Sequence, residues 1–277
     1  MRTIELRSGE PISAIGQTTW GYGEDPARRA EEVAALREGL ELGMTLVDTA
    51  ELYADGAAEE LVGEAIAGRR DAVFLVGKVL PAHATVEGTV TACRRSLRRL
   101  RTDRIDLYLL HWRGPVALSR TLEAFAQLGA AGAIRYWGVG NFDVPDLAEL
   151  VRLPGGRGLA VDQVPYSPVR RGIDYDVLPW CLAKGVTTMA YAPFEGGSVL
   201  GLPALRTVAE RHGATTAQVV LAWVLRHEQL AVLPMMRTPA EARENCAALG
   251  LRLTPHDLFE LEEAFPAPKW PQPIVVA

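Results

Sequence analysis

Four residues of this chain have side chains suited to moving a proton: Asp48, Tyr53, Lys78 and His111. A phenol is too weak an acid to protonate a substrate readily near neutral pH, its reference pKa being about 10. An ammonium beside it stabilises the phenolate, and a carboxylate beside the ammonium keeps that lysine charged and in place. An imidazole adds a hydrogen bond to a substrate oxygen. Together these are the parts needed to deliver a proton to a carbonyl while a second group delivers a hydride. Each also has a plainer reading on its own: Asp48 as a cap, Tyr53 as a half-buried surface aromatic, Lys78 as a solvated strand end, His111 as a satisfied histidine near the core. Their joint placement argues against four coincidences. The apolar runs MTLVD, VFLVGK and IDLYLLH end at Asp48, Lys78 and His111, and Tyr53 follows Asp48 in DTAELY. If those runs are parallel neighbours in one barrel, all four side chains converge on the C-terminal mouth, where such barrels keep their chemistry.

The rest of the chain carries the elements that such a mouth requires. Strand-like runs lie at 12–16, 44–48, 72–78, 104–111, 134–140, 159–164, 186–191 and 231–235, separated by amphipathic helical segments. Eight strands alternating with helices predict a (β/α)8 TIM barrel. A short piece at 3–6 predicts an N-terminal hairpin closing the barrel floor. A doubly wound sheet would need a glycine-rich G-x-G-x-x-G turn after an early strand, and none is there. Segment 26–42 reads as a helix, with Pro26 in its first turn, Val33, Leu36 and Leu40 on one face, and Gly43 as its stop. Thr215 with Gln218, and Thr238 with Glu241, read as capping boxes. No linker or repeat interrupts the chain, so residues 1–277 are expected to form a single domain.

Composition narrows the class. The 277 residues are 48% hydrophobic and 23% charged, ordinary for a soluble globular enzyme. The formal net charge is -5, from 29 basic and 34 acidic residues with no long run of one sign. The densest basic stretch, Arg94 to Arg101, has leucines at helical spacing and reads as the solvated face and end of an amphipathic helix rather than a nucleic-acid patch. Cys93, Cys181 and Cys246 imply no disulfide framework. There is no secretory h-region and no long apolar span. A cytoplasmic monomer or weak oligomer is therefore expected, acting on a small molecule and not on nucleic acid or membrane.

The segments GMTLVDTAELY, LVGK, DLYLLHW, WGVGNF, DQVPYSP and AYAPFEGG, taken in order, resemble the aldo-keto reductases across nearly the whole chain. The PGG at 154–156, the RGIDYDVLPWC segment and the ending AFPAPK are most similar to a short bacterial branch that includes methylglyoxal reductases. The resemblance implies a barrel that binds an extended nicotinamide cofactor across its mouth. It makes Tyr53 the general acid, Lys78 and Asp48 the pair that lowers its pKa, and His111 the group that orients the carbonyl. It also implies cofactor contacts at Thr19, Trp20, Asn141, Gln163, Tyr191, Phe194, Gly196, Arg237, Thr238, Glu241 and Asn245. Tyr191 would stack on the nicotinamide, and Asn141 and Gln163 would hold its carboxamide. Phe194 and Gly196 would lie by the pyrophosphate, with Trp20 and Trp112 lining the carbonyl pocket. No metal is implied: the five histidines show no H-x-H or H-E-x-x-H spacing.

Three positions depart from the family pattern. Gly140 stands where a serine is usual, and Asp162 stands where an asparagine is usual beside Gln163. The lysine and arginine that bind the adenosine 2′-phosphate in NADPH-using relatives are here Met235 and Glu241. A carboxylate there opposes a phosphate, although Arg237, Arg243 and a helix N-terminus stand close by. NADP(H) is the family expectation; NAD(H) is the alternative that Met235 and Glu241 raise. A nicotinamide-binding regulatory module with little turnover is the alternative to an active reductase.

Overall fold

A computed structural model of the chain describes residues 1–275. Strands β1 (Thr3–Glu5) and β2 (Pro11–Ser13) form an antiparallel hairpin with Ile4 opposite Ile12. The barrel strands are β3 (Gln17–Thr18), β4 (Leu46–Asp48), β5 (Phe74–Val79), β6 (Ile105–Leu110), β7 (Ile134–Gly140), β8 (Val161–Pro165), β9 (Thr187–Tyr191) and β10 (Leu230–Leu233). Each pairs in parallel with its neighbour in chain order. Bridges from Ile15 to Val232 and from Thr18 to Met235 close the ring. Helices α1 (Arg29–Glu41), α2 (Ala57–Ala65), α3 (Val86–Leu100), α4 (Leu118–Ala130), α5 (Val144–Leu150) and α6 (Val177–Lys184) connect successive strands. Two helices, α7 (Pro203–His212) and α8 (Thr216–Val224), separate β9 from β10, and α9 (Pro239–Ala247) and α10 (Pro255–Ala264) follow. Strands β4, β5 and β6 are buried at every position, as parallel strands covered on both faces must be. Among the described residues no helix is long and apolar enough to cross a membrane.

The hairpin covers the floor as expected. Ser13 Oγ accepts the Leu46 N–H (3.0 Å) at the start of β4, and Arg2 Nη1 donates to Leu225 O (2.8 Å) ahead of β10. Glu10 takes the Tyr136 hydroxyl (2.8 Å) near the start of β7. The run at 12–16, however, is not one strand. Ile12 and Ser13 belong to the hairpin, and the first barrel strand begins only at Gln17. Between them Gly16 donates to Val232 O (2.8 Å), while Val232 donates to Ala14 O (2.9 Å). The chain is so tightly held at this seam that a Cβ on Gly16 would lie 2.7 Å from the Leu233 side chain and 2.8 Å from Leu46 O.

Local signals met different fates. Thr215 and Gln218 form a reciprocal capping box at α8, as do Thr254 and Asp257 at α10. Thr238 caps α9, but Glu241 does not return the bond to Thr238; its carboxylate reaches one residue further back, to the Arg237 N–H. The basic run lies on α3, yet Arg99 is only partly solvated, because it pairs with the fully buried Glu59 of α2.

Gly16→Ala forces backbone and two leucines apart at the barrel seam. Overpacking of this kind costs about 1–3 kcal/mol. The expected outcome is a lowered thermal midpoint with the circular dichroism of the native fold retained; an unchanged midpoint would show the seam to be slack.

Candidate active site at the barrel mouth

Asp48 ends β4 and is fully buried, as is Lys78 near the end of β5. Lys78 Nζ lies 2.7 and 2.8 Å from the two Asp48 oxygens. It also donates to Thr49 O (3.1 Å) and to the Tyr53 hydroxyl (2.9 Å). An ammonium has three donors, and here each finds an acceptor. Asp48 is as fully engaged, accepting in addition from Thr18 Oγ1 (3.1 Å) and Gln163 Nε2 (2.8 Å). Strands β3, β4, β5 and β8 thus each contribute to one buried hydrogen-bonded knot.

Tyr53 reaches that knot from a turn. Residues Ala54, Asp55 and Gly56 all have left-handed backbones, with φ of 47°, 52° and 89°, which reverses the chain into α2 and leaves the tyrosine ring in the mouth. Its ring meets Trp20 edge-on (5.2 Å between centroids) and lies 5.9 Å from His111, which in turn lies 4.7 Å from Trp112. The four rings form a continuous aromatic row, with Trp20 51% exposed.

The electrostatics differ from the expectation in one respect. The Tyr53 phenol is not lowered by its lysine; burial, followed by the Asp48 carboxylate, holds it well above the ordinary tyrosine value. Desolvation of the phenolate is the larger cause, and the negative charge of Asp48 adds to it. Burial also lowers the Lys78 ammonium, against the pull of Asp48. The His111 imidazole is brought down to about 3, by burial first and by Lys78 second, so it is neutral at ordinary pH. Its Nδ1 has no partner among the described residues.

Of the residues expected at the cofactor, Tyr191, Asn141 and Gln163 come together beside Asp48. Tyr191 Oη donates to Asn141 Oδ1 (2.7 Å), and Asn141 Nδ2 donates to His111 O (3.0 Å). Asn141 has φ 62°, a conformation that asparagine tolerates. Phe194 is half-buried, and Gly196 and Gly197 are exposed at positive φ in the loop after β9. Glu195, between them in the chain, is clamped by Arg170 Nε (2.9 Å) and Ser167 Oγ (2.9 Å). Arg237, Thr238 and Glu241 gather at the start of α9. The Arg237 guanidinium passes over Gly21, where a Cβ would meet its Nη2 at 2.7 Å, and its Nε has no partner among the described residues.

Three of the residues considered are engaged within the fold itself. Thr19 has no exposed surface, and its hydroxyl bonds Asp48 O (3.1 Å), so it braces the strand end that carries Asp48. Asn245 is buried, with its Nδ2 3.5 Å from Met235 O. Arg243 is bound to Glu38 of α1 (2.9 Å) and does not turn to the α9 N-terminus. Sequence reasoning passed over Thr18 and Thr49, whose parts in the knot depend on register alone.

A buried acid knot at the C-terminal mouth of a parallel barrel agrees with what comparison finds. A family model described as the Aldo/keto reductase family matches residues 14–265. The chain belongs to that family. It is 46% identical over 273 residues to methylglyoxal reductase YeaE of Escherichia coli K12, covering 97% of this chain and 96% of that protein. It is 31% identical to methylglyoxal reductase DkgB of Salmonella typhimurium, over 86% of this chain and 85% of that one. An aldo/keto reductase from Klebsiella pneumoniae, solved in complex with NADP and acetate, superposes with a TM-score of 0.97 at 42% identity over 99% of each chain. The chain is accordingly an NAD(P)H-dependent oxidoreductase that reduces carbonyl compounds. The residues present fit such a cofactor. An unpaired guanidinium nitrogen stands at the start of α9, the 196–197 loop presents bare backbone, and the Gln163 amide lies against Asp48.

A histidine pKa held near 3 has a visible consequence, since the unfolded value is about 6.5. Between those values the unfolded chain takes up a proton that native His111 refuses, so this residue's contribution lowers stability as pH falls through that window. In histidine NMR spectra the His111 ring should keep neutral-form shifts from pH 8 down to pH 5; titration near pH 6.5 would contradict its buried setting.

Proposed function

We propose that this enzyme reduces the aldehyde group of a small 2-oxoaldehyde, such as methylglyoxal, with NADPH as reductant and Tyr53 as proton donor. The observation that carries the reading is Lys78 Nζ donating at once to Asp48, Thr49 O and the Tyr53 hydroxyl. The bound nicotinamide supplies a hydride to the carbonyl carbon. Tyr53 gives its hydroxyl proton to the carbonyl oxygen, and the phenolate left behind faces an ammonium already in hydrogen-bond contact. A neutral phenol before transfer and a stabilised phenolate after it are what a general acid needs. His111, uncharged, orients the carbonyl through a ring nitrogen without competing for the proton. The aromatic row from Trp20 to Trp112 shields the reacting atoms and suits a compact substrate. The names of YeaE and DkgB support the 2-oxoaldehyde class.

NADPH is favoured over NADH by the start of α9. Met235 is neutral, but Arg237 has an unpartnered Nε, and the Glu241 carboxylate is turned to the Arg237 backbone N–H. The Arg237 guanidinium makes no ion pair among the described residues, so its charge is available to a 2′-phosphate, while the Glu241 carboxylate is engaged with backbone.

Two measurements test these assignments. Tyr53→Phe should lower kcat on methylglyoxal by roughly 10²–10⁴-fold, with nucleotide affinity by tryptophan quenching unchanged. Retained turnover would end the acid assignment. Arg237→Ala should weaken NADPH binding by roughly 10- to 100-fold, as loss of one charge-assisted hydrogen bond does, and leave NADH unaffected. Equal weakening of both nucleotides would remove Arg237 from the 2′-phosphate site.

A further inference from the structure

We infer that Glu51 is a positioning residue, one that fixes where the Tyr53 hydroxyl stands relative to Lys78; this rests on the reading of Tyr53 as proton donor. Beyond Asp48 the chain keeps pairing with β5 for a few residues. Thr49 donates to Val76 O (3.0 Å), and Glu51 donates to Lys78 O at a stretched 3.5 Å. The chain then turns away toward Tyr53, so the next donor on the β5 side, the Leu80 N–H, loses its backbone acceptor. Glu51 Oε1 takes that place at 2.9 Å. The same oxygen lies 2.8 Å from His83 Nδ1, and Oε2 lies 3.7 Å from the Arg95 guanidinium.

This carboxylate is not a surface group that happens to find partners. Glu51 is only 8% exposed, and burying a carboxylate costs several kcal/mol unless it is paired. Its position gives it leverage. It stands two residues before the acid and grips the backbone two residues after Lys78, so one side chain ties together the two segments whose tips must touch at 2.9 Å. The tie is needed because the chain leaves Tyr53 through Ala54 and Asp55, both left-handed and neither glycine. Such residues hold strain of order 1–3 kcal/mol each that is released if the surroundings let go. With the grip removed, the turn relaxes and the hydroxyl shifts away from Lys78. A misplacement of about 1 Å at a reacting group costs on the order of 10²-fold in rate.

Two variants of the full-length enzyme test this. Glu51→Asp keeps the charge but is one methylene too short to reach the Leu80 N–H. Glu51→Gln keeps the reach and the acceptor oxygen. The expected result is a kcat lowered roughly 10- to 100-fold in Glu51→Asp, largely restored in Glu51→Gln, with NADPH affinity by tryptophan quenching the same in both. The deuterium isotope effect on kcat with 4-deuterated NADPH should rise in Glu51→Asp, because a misplaced acid slows the chemical step. A purely stabilising glutamate would lower the thermal midpoint and leave that isotope effect alone. Wild-type kcat in Glu51→Asp, or loss of rate in step with NADPH affinity, overturns the inference. Should Glu51→Asp fail to fold, a Glu51→Gln enzyme that is slow despite native nucleotide binding overturns it equally. If instead Tyr53 is not the donor, Tyr53→Phe stays active whatever Glu51 does.

Discussion

A buried carboxylate and a buried ammonium, Asp48 and Lys78, set the terms for the rest of the molecule. Removing two such charges from water costs several kcal/mol for each, and their mutual attraction offsets this only with good geometry and with every remaining donor and acceptor satisfied. The barrel meets that condition by drawing on several strands at once. Thr18 comes from β3, Asp48 from β4, Lys78 from β5 and Gln163 from β8, and the backbone oxygen of Thr49 completes the ammonium's shell. Only a closed ring brings strands so distant in sequence to one point. The tight seam at Gly16, which holds β3 between β4 and β10, therefore matters to the chemistry as much as to the core.

The same pair explains the state of the acid. A lone ammonium beside a phenol would pull its pKa down, but here burial pushes the phenol up and the Asp48 carboxylate pushes it the same way. The hydroxyl stays protonated across the working range of pH. Once its proton has gone, the charge balance changes. The phenolate sits against an ammonium whose other two protons are already held by Asp48 and Thr49, so little rearrangement is required to stabilise it. His111, stripped of its charge by burial, adds no second proton to the site.

How legible this was follows from which forces act locally. The barrel, its floor hairpin and the placement of Asp48, Tyr53, Lys78 and His111 could be read because parallel strands appear as apolar runs with polar residues at their ends. The run at 12–16 misled because Ile12 and Ile15 satisfy a hairpin and a barrel strand equally well, and only closure against β10 decides between them. Glu241 matched the capping-box spacing, yet its carboxylate found a nearer vacancy at the Arg237 N–H. That the Thr19 hydroxyl turns to Asp48 O depends on tertiary packing and left no mark in the sequence. The raised phenol could not be foreseen, since desolvation depends on what surrounds a residue in space. Glu51 looked like any acidic loop residue; its importance arises from the register of Leu80 across the β4–β5 ladder.

Strain is distributed in the same functional sense. Among the described residues six non-glycine positions have positive φ, and five of them, Ala54, Asp55, Asn141, Ala192 and Glu195, lie in the loops that leave β4, β7 and β9 at the C-terminal mouth. Each strained loop is locked by hydrogen bonds from side chains or backbone outside its strained residues. Asn141 is held by His111 O and Tyr191, Glu195 by Arg170 and Ser167, and the Tyr53 turn by Lys78 at its tip and Glu51 at its base. A backbone free to relax would choose easier angles, so these cross-loop bonds are what convert a stable barrel into a mouth of defined shape. The covering bonds at the Tyr53 turn and at the loop after β9 differ in exposure, too. The Tyr53 turn is fastened by buried groups, whereas the Glu195 loop is fastened by a partly exposed Arg170. Water competes far better for the second than for the first. The turn that carries Tyr53 is therefore fastened more firmly than the loop after β9.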